Sequence, residues 1–204
     1  MFVAEPVSDN LRELWTVRSA AGSVPTRLIR HAPERNLQDC SWSPDGTRIA
    51  YVAYTTPPPD FDFDLYMVSV DGDSITALLT DPDSGLGNPR WSPDGARLAF
   101  SSRRTGNGEV WVLTVDTGEL VQLTNDPGFD TSPTWSPEGD RIAFASDRTG
   151  AFEIWTMSPT GKDLTQVTFD ELGAFDLAWS PDGSQIAFAR IQNGGSDIWV
   201  LELE

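Results

Sequence analysis

Trp42-Ser43-Pro44-Asp45-Gly46, Trp91-Ser92-Pro93-Asp94-Gly95 and Trp179-Ser180-Pro181-Asp182-Gly183 are the same five residues, and Trp135-Ser136-Pro137-Glu138-Gly139 differs by one methylene. The four tryptophans are spaced 49, 44 and 44 residues apart, so one supersecondary unit has been copied along the chain. Ser-Pro-Asp-Gly is a turn by composition. Proline presets φ at the second position, Asp tolerates the third, and Gly accepts the positive φ that leads into the next strand.

Strands flank the turn. Arg48 to Ala53, Arg97 to Ser101, Arg141 to Ala145 and Gln185 to Ala189 are short apolar runs with small residues between large ones, as strands buried on both faces require. A loop leads to a third strand at Asp64 to Val68, Glu109 to Leu113, Glu153 to Met157 and Asp197 to Leu201. A glycine turn then leads to a fourth at Ala77 to Thr80, Val121 to Thr124 and Gln166 to Thr168. With four antiparallel strands per unit and no helical period, the expected fold is an all-β propeller with repeats at about 1–36, 37–85, 86–129, 130–173 and 174–204 in a single domain, 1–204.

The terminal units are incomplete. Met1 to Ala4, Glu13 to Val17 and Thr26 to Arg30 match the second, third and fourth strands, and the last unit stops after its third. With the strands of a blade lettered A to D, the chain reads BCD, three sets of ABCD, then ABC. Three outcomes stay open: five imperfect blades closing on themselves, pairing of the open ends with another copy, or a piece of a longer propeller.

The longer pattern, Pro-x-Trp-Ser-Pro-Asp-Gly-x-x-Ile-Ala-Phe-x-Ser-x-Arg followed by Ile-Trp and Leu-Thr, resembles the TolB-type propeller repeat, best at Pro89 to Arg104 and Pro133 to Arg148. The resemblance covers almost the whole chain and implies a propeller; the lack of a nucleophile and base constellation points to one that binds protein or peptide. TolB itself has a further domain ahead of a six-bladed propeller, neither of which is visible here. The repeat is also similar to the non-catalytic propeller of prolyl-oligopeptidase-like peptidases. The resemblance leaves the bacterial periplasm open as a location, and no signal peptide is visible in this chain.

Thirty-one acidic against 14 basic residues give a net charge of −17, which repels phosphate backbones and anionic lipid. Nucleic acid is therefore not an expected partner, and no apolar run is long enough for membrane insertion. A single cysteine, Cys40, excludes an intrachain disulfide, and its place before Trp42 predicts a buried thiol.

Catalytic signatures are missing from the sequence. There is one histidine, His31, and no Gly-x-Ser-x-Gly, His-Glu-x-x-His, Cys-x-x-Cys or phosphate-cradling loop. The chain reads as a non-enzyme without a cofactor. Acids alone suffice for glycoside hydrolysis, however, so a carbohydrate-active or cation-binding propeller stays as the alternative.

Three sets of residues stand out as candidate sites. Three residues before each motif tryptophan lie Asp39, Asn88, Ser132 and Asp176, all oxygen-bearing and all expected near the start of the innermost strand, ringing the channel mouth. Water or a hard cation such as calcium would suit them. The second set is the loop from Thr55 to Asp64, four residues longer than its counterparts, whose three prolines stiffen it and whose Phe61 and Phe63 offer contact to a partner. Asp60, Asp62 and Asp64 alternate there but lack the glycine and distal Glu of a calcium hand. Third, Arg104 and Arg148 occupy matching loop positions, either bracing their loops or facing a partner. The partner is expected to be protein, peptide or a second copy of the chain.

Overall fold

The computed structural model describes residues 2–4, 13–17, 20–29, 35–55, 62–82, 85–169, 173–192 and 195–203. Its first sheet is β1 (Phe2–Ala4), β2 (Glu13–Thr16) and β3 (Thr26–Ile29). Three four-stranded sheets follow: β4 (Arg35–Trp42), β5 (Arg48–Thr55), β6 (Asp62–Ser69) and β7 (Ile75–Pro82); β8 (Gly87–Trp91), β9 (Arg97–Ser102), β10 (Glu109–Thr114) and β11 (Leu120–Gln122); then β12 (Asp130–Trp135), β13 (Ile142–Ser146), β14 (Glu153–Met157) and β15 (Thr165–Gln166). The last sheet is β16 (Ala174–Trp179), β17 (Gln185–Gln192) and β18 (Gly195–Glu202). Every sheet is an antiparallel meander in chain order. The blades are BCD, three of ABCD, and ABC, as the sequence pattern predicts.

The core is divided among the seams between blades. Leu14 and Ile29 of the first blade pack on Leu37, Ile49 and Tyr51 of the second. Ala50, Val52 and Leu65 of the second meet Trp91, Leu98 and Phe100 of the third. Val110 and Val112 of the third meet Trp135, Ile142 and Phe144 of the fourth, and Ala143 and Ile154 of the fourth meet Leu177 and Ile186 of the fifth. Innermost strands also stack, β4 on β8, β8 on β12 and β12 on β16. Among the described residues no comparable seam joins the fifth blade to the first. Ile198 and Val200 of β18 are accordingly 83% and 56% exposed, while Val110, at the position of Ile198 two blades earlier, is fully buried.

The repeated pentapeptide is both a turn and the joint of each seam. Within a turn, the Ser43 hydroxyl donates to Asp45 Oδ1 at 2.6 Å, and Asp45 also accepts the Thr47 N–H at 3.0 Å. Those bonds hold the Asp45 carboxyl down at about 2, and the same bonds from Ser180 and Ser184 do so for Asp182. Glu138 is a methylene too long for the role, and Asp140 accepts from Ser136 instead, at 2.8 Å.

Between turns, the Trp135 indole donates to Arg90 O of the preceding blade at 3.2 Å, and Trp179 donates to Thr134 O at 3.3 Å. Arg48 lies over Trp91 at 4.9 Å and Arg97 over Trp135 at 4.7 Å, so each arginine covers the tryptophan of the following blade. Trp42 has only the incomplete first blade before it and is 36% exposed, against 7% for Trp91. Each motif glycine after the first, Gly95, Gly139 and Gly183, also sits over the preceding motif's proline. A Cβ on Gly139, whose φ is +73°, would meet Pro93 Cγ at 3.0 Å. Gly139→Ala should therefore cost about 2 kcal/mol, combining left-handed strain with crowding. Gly118→Ala, with φ of +71° and open space around it, should lose only the strain; urea midpoints of the two variants make the comparison.

Two boundaries differ from expectation. The fourth strands end at Gln122 and Gln166 rather than at the following threonines, because Thr124 and Thr168 turn their hydroxyls into the ladder. Thr124 Oγ1 accepts the Val110 N–H at 2.9 Å and donates to Glu109 at 2.6 Å. Thr168 makes the same pair with the Ile154 N–H and Glu153. The four inserted residues of the second blade partly extend its hairpin, with pairing as far as Tyr54 and Phe63 and the Asp62 N–H bound to Thr55 Oγ1 at 2.9 Å.

Candidate functional site

Asp39, Asn88, Ser132 and Asp176 do not begin their strands in a common way; each is the extra residue of a β-bulge in strand A, with φ of 45°, 52°, 52° and 51°. The left-handed region disfavours most side chains and tolerates Asn and Asp best. Their shared chemistry therefore has a backbone cause. The same bulges turn these side chains toward neighbouring strands. Asp39 Oδ2 accepts the Asn88 N–H at 3.1 Å, and Asn88 Oδ1 accepts from Thr131 at 3.2 Å and Ser101 at 3.4 Å. One blade's bulge thus ties to the next.

Asn88, Ser132 and Asp176 line a concavity of about 460 Å³ whose other wall is Phe129, Phe152 and Phe175. These rings form a row, Phe129 edge-on to Phe152 at 6.2 Å and Phe152 tilted against Phe175 at 4.8 Å. Asp176 also lines a second concavity of about 380 Å³ beside the motif residues Trp135, Pro137 and Trp179. It stands between the two.

Next to the aromatic row is a buried charge cluster. Glu109, Asp126 and Asp130 each offer an oxygen within 4.8 Å of the others, and no other such group of three occurs among the described residues. The Arg148 guanidinium lies among them, 2.6 Å from Asp126 and 2.8 Å from Asp130, with its Nε on Ser146 Oγ at 2.8 Å and its face 4.8 Å from the Trp155 ring. Burial, aided by the neighbouring carboxylates Asp130 and Asp126, raises the Glu109 carboxyl above its ordinary range. Arg148 holds the place a cation would take, which is the loop-bracing role weighed in the sequence.

Arg104 lies over Trp111 at 4.9 Å and bonds Ser102 Oγ at 3.3 Å, matching Arg148, while Leu86 stands where Asp130 does. Phe63 stacks on Tyr54 at 5.4 Å and packs against the seam between blades two and three. Phe61, Asp60 and His31 lie outside the described residues. Asp64 is buried at the position of Glu109, a repeat acid rather than one of an isolated trio. Cys40 is half-buried, and burial pushes its thiol up.

The family model of the TolB beta propeller domain matches residues 22–204. The chain belongs to the TolB propeller family. TolB from Acinetobacter baumannii superposes with a TM-score of 0.83 at 22% identity over 98% of this chain and 49% of that one, so this propeller spans about half the length of its relative. A putative TolB from Agrobacterium tumefaciens gives 0.65 at 18% identity, over 88% and 81%. An oligogalacturonate lyase from Vibrio parahaemolyticus gives 0.72 at 16% identity, over 93% and 57%. At these identities the likeness is one of fold. No curated protein sequence matches. Among the described residues, no helix of this TolB-type propeller is long and apolar enough to cross a membrane.

Proposed function

We propose that this chain is a non-enzymatic propeller module that captures an extended polypeptide segment at the channel mouth. The supporting observation is the row of Phe129, Phe152 and Phe175 facing the oxygens of Asn88, Ser132 and Asp176 across one concavity. An apolar wall gives contact area, and convergent acceptors select N–H donors. With a net charge of −17, the partner segment is basic rather than acidic. Of the carboxylates that do gather, Asp126 and Asp130 are paired with Arg148 and Glu109 accepts from Thr124, which argues against an acid and base pair.

Selection of displayed random peptides on the chain, with Phe152→Ala and Asp176→Ala as separate counter-targets, tests the site. The binders should be enriched in Lys or Arg beside an apolar residue, and each variant should weaken them about tenfold. Binders indifferent to both variants would remove the site from consideration. The reading needs no cofactor. A rise in melting temperature with millimolar calcium would instead make ligands of Asp39, Asn88, Ser132 and Asp176.

The bare outward face of the fifth blade favours a second reading, association with another copy, which light scattering would exclude by finding a monomer. A periplasmic location remains part of the proposal.

A further inference from the structure

The two seams that flank the fourth blade differ at one position. Leu86, Asp130 and Ala174 each stand five residues before a motif tryptophan, and Leu86 and Asp130 bury a full side chain there. Ala174 stops at its methyl group. It lines a cavity of about 20 Å³ together with Glu153 and Thr168 of the fourth blade and Phe188 and Arg190 of the fifth. That volume exceeds the roughly 10–15 Å³ that a single water requires.

Arg190 stands at the position of Ser146, and Gln192 at that of Arg148. The fifth blade therefore brings its guanidinium from two residues earlier, yet it lies over Trp199 at 4.5 Å much as Arg148 lies over Trp155 at 4.8 Å. Ala174 pairs with Arg190 across the ladder as Asp130 pairs with Ser146, which sets the short side chain beside the arginine. Arg148 has Asp126 and Asp130 as counter-charges. Arg190 is 4% exposed, its Nε is buried without a hydrogen-bond partner, and no carboxylate among the described residues is paired with it. A guanidinium stays charged, so burying one without an anion is costly.

We propose that the cavity between Ala174 and Arg190 binds a small carboxylate, which takes the place that the Asp130 side chain fills one seam earlier and accepts from Arg190 Nε. The preceding seam supplies the precedent for this choice of anion. There Asp130 and Glu109 lie within 4.8 Å of each other beside one arginine, so an acid at the start of the third strand tolerates a second carboxylate once a guanidinium is present. Glu153 is the matching acid, and it already accepts from the Thr168 hydroxyl. Arg190 is the donor left for the ligand. A free ion and the side-chain carboxylate of a partner offer the same chemistry to it.

Sodium formate is the probe, with sodium chloride at equal ionic strength as the reference. A ligand of so few atoms reaches about millimolar affinity at best, so formate at roughly ten times that concentration should raise the melting temperature by about 4 °C more than chloride does. The Nε–H resonance of Arg190, assigned by its loss in Arg190→Lys, should shift saturably over the same range. Ala174→Asp supplies the carboxylate from the chain itself and should melt higher than the parent while losing the response to formate. Ala174→Leu copies the third blade and should also lose the response. Asp176→Ala should respond as the parent does, which separates this cavity from the channel mouth. N-acetylaspartate amide distinguishes the sources: a shift equal to that of formate admits a partner's side chain, and none restricts the site to a free ion. No formate-specific shift, a chloride effect of the same size, or a response that survives in both Ala174 variants would overturn the proposal.

Discussion

Arg148→Ala should lower the free energy of unfolding at neutral pH by about 3–5 kcal/mol, because it strips the cation paired with Asp126 and the buried Asp130. Asp130 is fully buried, Arg148 and Asp126 are partly buried, and Glu109 completes the cluster within 4.8 Å. The guanidinium also covers Trp155, and that contact goes with it. The loss should depend on pH in a defined sense. Glu109 and Asp130 already lie above their ordinary range with Arg148 in place, and without it the folded-state values rise further, so the folded form is penalised once they ionise and is relieved as the pH falls through the raised values. Urea unfolding at pH 7 and again in mild acid should show the deficit shrinking. Asp45 and Asp182, held at about 2, act oppositely: their stabilisation persists down to the unfolded carboxylate range and is lost as the pH falls further toward 2. The blades supply an internal control. Leu86 holds the position of Asp130 in the third blade, where Arg104 matches Arg148, so Asp130→Leu, which leaves Asp126 bound to Arg148, should cost only about 1 kcal/mol. Equal losses for Arg148→Ala and Asp130→Leu would refute the assignment of Arg148 as charge partner of Asp126 as well as of Asp130.

Phe144→Ala is the other large effect. Phe144 is 0% exposed and packs in the seam with Ala99, Val110 and Val112 of the preceding blade, where truncation should leave a cavity and cost about 3–5 kcal/mol. Phe188 holds the same place one blade later but is only half-buried, so Phe188→Ala should cost clearly less. Denaturant midpoints for the pair separate a requirement of the repeat from a requirement of closed packing. Equal losses would mean that the seam, rather than enclosure on both sides, sets the energy.

The blade order was legible because it depends on local chemistry. The turn residues of Trp42 to Gly46 and its copies, and the alternating runs beside them, specify hairpins within a few residues of themselves. Asp39, Asn88, Ser132 and Asp176 were visible as a set, but their positive φ was not, since a bulge is fixed by register against the next strand. The aromatic row escaped notice for another reason. Phe129 is six residues before its motif tryptophan, Phe175 four before, and Phe152 lies in a different loop, so no shared offset marks them and only the curvature of the array brings them together. Arg148 had a signal, its match to Arg104, yet the acids that hold it, Asp126 and Asp130, come from the preceding connection and are absent from the matching positions of the third blade. The threonines after β11 and β15, Thr124 and Thr168, together with Glu109 and Glu153 that open β10 and β14, were a readable pattern whose meaning emerged from the paired hydrogen bonds.

The joints between blades have a direction. The second and third blades each give an arginine and a proline forward, and receive the tryptophan and glycine of the next blade. A copied blade therefore arrives with both halves of its own couplings and meets compatible halves on either side. Gene duplication can lengthen such a chain, or deletion shorten it, without any new contact having to be invented at the scar. Each such change alters the number of joints and leaves the chemistry of every joint as it was.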